Sequence, residues 1–257
     1  MEGHTVADGR VVMESLLESG AASARFRAHI DVDPQQKRLL TLGQDQTVPH
    51  DQVTRRLALA MPGVAPLEFI GPVDQPDEVG WLGACMVEVE PRGRRADELG
   101  PLSDASAASL GLQILEVVGR AHAAGLLLLG IRPELVYCDA AAGLVGLVPR
   151  APIFLQTARP ASHGRQVLPD LYRAPEDQFG LAPVPRSDVF ALCATLFALT
   201  AGRHPFGAHA GEQIHRIAAG QVAPHPGRLG SILAAGLAPD PARRPEVAAL
   251  SAQLRGL

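Results

Sequence analysis

The chain has 257 residues, 47% of them hydrophobic, 19% charged and 4% aromatic, enough to bury a sizeable core and too apolar for a disordered segment. A formal net charge of −4 and a pI near 6.1 leave no electrostatic footprint for nucleic acid or for an anionic membrane surface. The three cysteines, Cys85, Cys138 and Cys193, form no C-x-x-C pair, so neither a zinc site nor a disulfide framework is indicated and they read as buried small hydrophobes.

In chain order, a polar lead-in gives way near residue 11 to two extended runs over residues 12–30, turning at the small residues Gly20 to Ser23. A polar turn is expected from Asp31 to Gln36, then a strand over Lys37-Arg38-Leu39-Leu40-Thr41-Leu42. Lys37 is the only lysine in the chain. Residues 51–61 have apolar side chains at helical spacing. Glu68 to Val73 and Trp81 to Val89 read as strands joined by the polar turn Asp74 to Gly80. The basic loop Pro91-Arg92-Gly93-Arg94-Arg95 is either a solvated loop or a contact for a partner. A long helix follows from Ser103 to Ala124, with Leu110, Ile114, Leu115 and Val118 on one stripe and Ser103 as its N-cap. Tyr137 to Asp139 and Leu144 to Val148 pair as a hairpin around Ala140 to Gly143.

Four literal matches carry a resemblance. His122-Ala123-Ala124-Gly125 leads without a gap into Leu128-Leu129-Gly130-Ile131-Arg132-Pro133-Glu134-Leu135, where the pattern H-R-D-L-K-P-E-N is expected. Leu171-Tyr172-Arg173-Ala174-Pro175-Glu176 contains Y-R-A-P-E. Arg186-Ser187-Asp188-Val189 opens a run that ends Gly202-Arg203-His204-Pro205-Phe206. Leu237-Ala238-Pro239-Asp240-Pro241-Ala242-Arg243-Arg244-Pro245 matches L-x-x-D-P-x-x-R-P. On these residues the chain resembles the protein kinase family, firmly from about 103 to 250 and loosely before that. The resemblance implies an α+β, bilobal kinase-like fold. Its small β-rich lobe would span about 9–88, its hinge about 88–92, and its larger helical lobe about 93–257.

The resemblance also implies where the chemistry should sit, and there the letters differ. The catalytic Asp falls on Gly130, the metal-binding Asn on Leu135, and the metal-binding Asp that closes the 137–148 hairpin on Pro149. The phosphate-holding Lys falls on Thr41, and the helix Glu that pairs with it on Gln52 or a neighbour. Lys37 lies four residues before Thr41, roughly 13 Å along a strand, although a two-residue slip would bring it closer. The three phosphate-loop glycines read Glu18, Gly20 and Ser23, a pattern that an ordinary hairpin also explains.

The adenine pocket implied by Gly20, Leu39, Val89 and Tyr137 is overfilled, since Leu39 replaces an Ala and Tyr137 a smaller Leu. Overpacking a snug pocket costs ~1 to 3 kcal/mol. By likeness Glu176 should pair with Arg244, and Asp188 should accept backbone hydrogen bonds from the catalytic loop, both structural roles.

The expectation is therefore a pseudokinase, with no cofactor and no metal, acting as a protein-binding scaffold or allosteric regulator in bacterial Ser/Thr kinase signalling. Its alternatives are an atypical active Ser/Thr kinase that uses displaced residues such as Lys37, or another ATP-dependent transferase on the same scaffold. Thr157 and Ser162 read as a mobile polar loop or as targets of another kinase. His204, His209, His215 and His225 have spacings that suit surface loops rather than a metal set. No run approaches the ~20 apolar residues of a membrane span, and the start, with Glu2, His4 and Asp8, lacks a signal segment. A cytoplasmic location is expected.

Overall fold

The computed structural model describes residues 5–6, 11–19, 23–43, 60–72, 84–149, 153–154, 171–207 and 209–257. Gly20, Gln52, Trp81, Thr157, Ser162 and nearly all of the helix expected over 51–61 lie outside the described residues. The fold is α+β. The chain divides into two compact units, one of Met1–Ala60, Ala65–Pro91 and Gln166–Leu168, the other of Met61–Val64, Arg92–Arg165 and Pro169–Leu257.

The first unit is an antiparallel sheet built from β1 (Thr5–Val6), β2 (Val11–Ser19), β3 (Ser23–Ile30), β4 (Asp33–Gly43), β5 (Leu67–Pro72) and β6 (Ala84–Val89), in the order β1-β2-β3-β4-β6-β5. Side chains alternate across a strand with period two, and the sequence places small or apolar residues at every second position. Ala24, Phe26 and Ala28 of β3, Leu40 and Leu42 of β4, and Cys85 and Val87 of β6 therefore share one face, where they form a buried cluster with Val11 and Met13. The cross-strand register, Phe26 opposite Leu40 and Leu40 opposite Val87, aligns them.

The intervening positions carry charge: Arg25, Arg27, Thr41, Glu88 and Glu90 alternate with the core residues. The polar turn expected over residues 31–36 is shorter in the structure. Only Asp31 and Val32 turn, and β4 starts at Asp33. An irregularity in the pairing between Ala28 and Ile30 absorbs Pro34, Gln35 and Gln36, a bulge that lets polar residues and a proline sit in a strand.

The second unit is mainly helical. Helix α1 (Asp104–Ala123) is capped by the Ser103 hydroxyl, which accepts from the Ser106 amide at 3.1 Å, and it buries Leu110, Ile114, Leu115 and Val118. Four further helices follow a single turn, α2 (Pro175–Gln178): α3 (Pro185–Ala201), α4 (Ala210–Ala219), α5 (Gly227–Gly236) and α6 (Val247–Arg255). Helix α3 is apolar all round, with Phe190, Leu192, Leu196 and Phe197 fully buried, as expected of a helix packed on every side. It starts on Pro185 and stops at Gly202, whose φ of 63° closes the last turn.

Gly111 of α1 lets α3 approach, since a Cβ there would lie 2.7 Å from Leu196 Cδ1. Short strands complete the unit: β7 (Arg94–Arg95), β8 (Leu126–Leu127), β9 (Val136–Cys138), β10 (Leu144–Leu147) and β11 (Ile153–Phe154), pairing as β10-β9-β7 and β11-β8. No helix among the described residues is long and apolar enough to cross a membrane.

Candidate functional site

The loop that follows α1 and β8 is fastened by one carboxylate. Asp188, fully buried in the first turn of α3, accepts the amide of Leu128 at 3.0 Å, the amide of Leu129 at 2.8 Å and a hydrogen bond from His122 Nε2 at 2.8 Å. The sequence reading assigned Asp188 to the loop backbone and missed His122. The available signal was its place in the last turn of α1, where an imidazole faces the helix's unpaired carbonyl end. Two turns further along α3, the Thr195 hydroxyl donates to the Ile131 carbonyl at 2.9 Å.

The backbone held in this way is unusual. Leu129 has φ 45° and Gly130 has φ 91°, two successive residues in the region that L side chains avoid. Three donors on Asp188 and the Thr195 bond offset that strain. Gly130 suits its conformation, whereas an aspartate at that position would have to adopt φ 91°.

What the loop encloses is hydrocarbon. Leu128 to Ile131, Leu135 and Leu147 to Pro149 line an apolar recess of about 10 Å³, room for about one water and far below the ~300–1,000 Å³ of ordinary ligand sites. Leu135 and Pro149 are buried, and the Val148 amide donates to the Leu135 carbonyl at 3.0 Å. Gly130, Leu135 and Pro149 are thus brought together, and none of them has a side chain that offers a ligand to a metal or a base to a hydroxyl. Arg132 follows Gly130 by two residues, and its Nε lies 3.7 Å from Glu134 Oε2. No group of three His, Cys, Asp or Glu residues able to hold a metal occurs among the described residues.

In the first unit, Thr41 accepts from Arg25 Nε at 3.2 Å. Both cations of β4 are committed. Lys37 Nζ lies 2.5 Å from Glu14 Oε1, an oxygen that also meets His29 Nδ1 at 2.8 Å. Burial works against the Glu14 charge, but the bonds to Lys37 and His29 outweigh it and hold the carboxyl below its usual range. Arg38 donates to both Glu68 oxygens, at 2.9 and 3.1 Å, and to Asp33 Oδ2 at 3.2 Å. The Glu68 bond, opposed by burial and supported by Asp33, raises its already high pKa. Leu39 is fully buried and Val89 half-buried in this unit, and Tyr137 is buried in the other.

A second buried ion pair fastens the segment around α2. Arg244 Nη1 and Nη2 donate to the two oxygens of Glu176 at 2.7 and 2.8 Å, and the Ser187 hydroxyl donates to Glu176 Oε1 at 2.5 Å. The remaining Arg244 donors reach the carbonyls of Ala238, Arg186 and Pro239, and its guanidinium lies 5.0 Å from the centre of the Phe190 ring. Desolvation pushes the Glu176 pKa up, yet the Arg244 and Ser187 bonds bring it below the ordinary value.

The chain matches none of the protein-family models. It is 32% identical over 176 residues to the serine/threonine-protein kinase PkaB of Streptomyces coelicolor, a match that covers 63% of this chain and 42% of that protein. The chain therefore spans less than half the length of the curated relative it matches. Through this match the chain is similar to a serine/threonine-protein kinase, and its α+β fold, an antiparallel sheet followed by a mainly helical unit, is kinase-like.

Proposed function

We propose that the protein is a pseudokinase, a kinase-like domain that binds protein partners instead of transferring phosphate, in the cytoplasm of a bacterium. The observation that carries this reading is the contrast within one loop. The backbone is held by Asp188 through buried hydrogen bonds, while Gly130, Leu135 and Pro149 present carbon where phosphoryl transfer requires a base and metal ligands. Electrostatic stabilisation and positioning supply nearly all of the rate in phosphoryl transfer, so a site without these groups keeps little of it. Lys37 stands four residues before Thr41, and its ammonium is drawn to Glu14 of β2. The hinge of about 88–92 and the two lobes on either side of it belong to the same proposal.

The test is purified protein with labelled ATP, Mg²⁺ and a generic protein substrate, beside calorimetric titration with Mg·ATP. No label transfer and no heat of binding are expected. Incorporation that disappears in Lys37→Ala would overturn the proposal in favour of an active kinase with a displaced lysine. Incorporation that survives it would overturn the proposal as well, pointing to other displaced groups.

A further inference from the structure

The segment Val87 to Glu90, most of which falls in the hinge expected over about 88–92, has polar groups bonded from within the first unit. The Val89 amide donates to the Pro66 carbonyl and the Glu90 amide to the Lys37 carbonyl, both at 2.9 Å. The Glu90 carbonyl accepts from Gln36 Nε2 at 3.3 Å. The Glu90 carboxylate, 8% exposed, is gripped on both oxygens by Arg27 of β3, Nε at 2.8 Å and Nη2 at 2.6 Å. One rung inward, Arg25 Nη2 lies 3.8 Å from the fully buried Glu88 while its Nε holds Thr41. The register places these rungs side by side on the face opposite the apolar cluster, Arg27 across from Leu39 and Leu39 across from Glu88.

We infer that this clamp holds the end of β6 fixed with no ligand bound. The Arg27–Glu90 fork and the Lys37 and Pro66 carbonyls fasten the end of β6 to β3, β4 and the residue before β5, and the amides of residues 89 and 90 are both bonded there. The inference rests on the pseudokinase reading and extends it: the sheet is fixed by default, and its rigidity does not depend on ATP. A bidentate guanidinium–carboxylate pair is strong and directional. A clamp of this kind differs from a salt bridge held at an exposed edge, which contributes little, because Glu90 is nearly buried and its neighbouring amide is bonded too.

Hydrogen exchange read by mass spectrometry on the full chain tests it, with residues 84–91 as the reporter and α3 as the internal reference. The wild type is expected to protect 84–91 without nucleotide. Arg27→Ala and Glu90→Gln should each speed exchange there by about tenfold with α3 unchanged, and the charge swap R27E/E90R should recover most of the protection. Unchanged exchange in both single variants, or no recovery in the swap, overturns the clamp. If a single variant loses α3 protection through unfolding, the swap alone decides. Separately, Mg·ATP that adds protection to 84–91 in the wild type would sink the nucleotide-free reading, whichever way the variants behave.

Discussion

Replacing Arg244 with alanine removes a guanidinium that donates to Glu176 twice and to three carbonyls. The carboxylate it leaves is 6% exposed, with the Ser187 hydroxyl still bonded to it. Losing one partner of a buried pair costs about 3–5 kcal/mol, because the remaining charge is uncompensated. For a protein of this size each kcal/mol shifts the melting temperature by roughly 2–4 °C, so Arg244→Ala should melt about 6–20 °C lower.

The pH dependence gives a second handle. In the wild type, burial raises the Glu176 pKa but Arg244 and Ser187 bring it below the ordinary carboxylate value. A depressed folded pKa contributes stability that is present above the unfolded value, about 4.3, and is lost as pH falls through the folded one. Without Arg244, burial dominates and the sign reverses: protonation then relieves the variant. The wild type's advantage, measured by urea unfolding of both proteins, should be largest near neutrality, begin to shrink as pH falls through the variant's raised Glu176 pKa, above the ordinary ~4.3, and go on shrinking until pH passes the wild type's lowered one. A deficit under about 1 kcal/mol at pH 7, or one that does not change on acidification, would refute the reasoning.

Gly130→Asp should fail to restore phosphoryl transfer to labelled ATP. It should also lower stability by about 1–2 kcal/mol in urea unfolding, since φ 91° is unfavourable for an L side chain. Gly236→Ala places a Cβ onto Cys193 Sγ and 3.1 Å from Cys193 Cβ, and should cost about 1–3 kcal/mol by overpacking; adding Cys193→Ala should return part of that loss. Burial, aided by Asp139, pushes the Cys138 thiol up to about 11, and burial pushes Cys193 up to about 12 despite Arg244. At pH 8 neither thiol should react with a chromogenic disulfide in the native protein, while all three cysteines should react after denaturation.

The sheet was legible in the sequence wherever one face was apolar, because Ala24, Phe26 and Ala28, or Leu40 and Leu42, announce a period of two by themselves. The start of β4 was not. Asp33-Pro34-Gln35-Gln36 has turn chemistry, and only its pairing around the bulge makes it strand. Nor could local pattern show that Arg27 meets Glu90, 63 residues away, or that Arg38 meets Glu68. Such pairs are set by strand order, which no local window contains. The partnership of Glu176 with Arg244, 68 residues apart, came from likeness to a family, not from any spacing a physical argument could read.

The same contrast explains how a kinase-like loop can stand without kinase side chains. Asp188 grips the amides of residues 128 and 129, and Thr195 grips the carbonyl of 131; backbone groups are present whatever the side chains are. Leucines can therefore replace the histidine and arginine expected there without loosening the loop. Phosphoryl-transfer groups are different, since each must keep a charge or a lone pair in a confined space, at a desolvation cost that a ligand or metal offsets. Once catalysis is not required, hydrocarbon at Leu135 and Pro149 removes that cost and adds burial. On the pseudokinase reading proposed above, the anchors that bind backbone are kept and the groups that bind phosphate are not, because only the anchors are needed to hold the chain in shape.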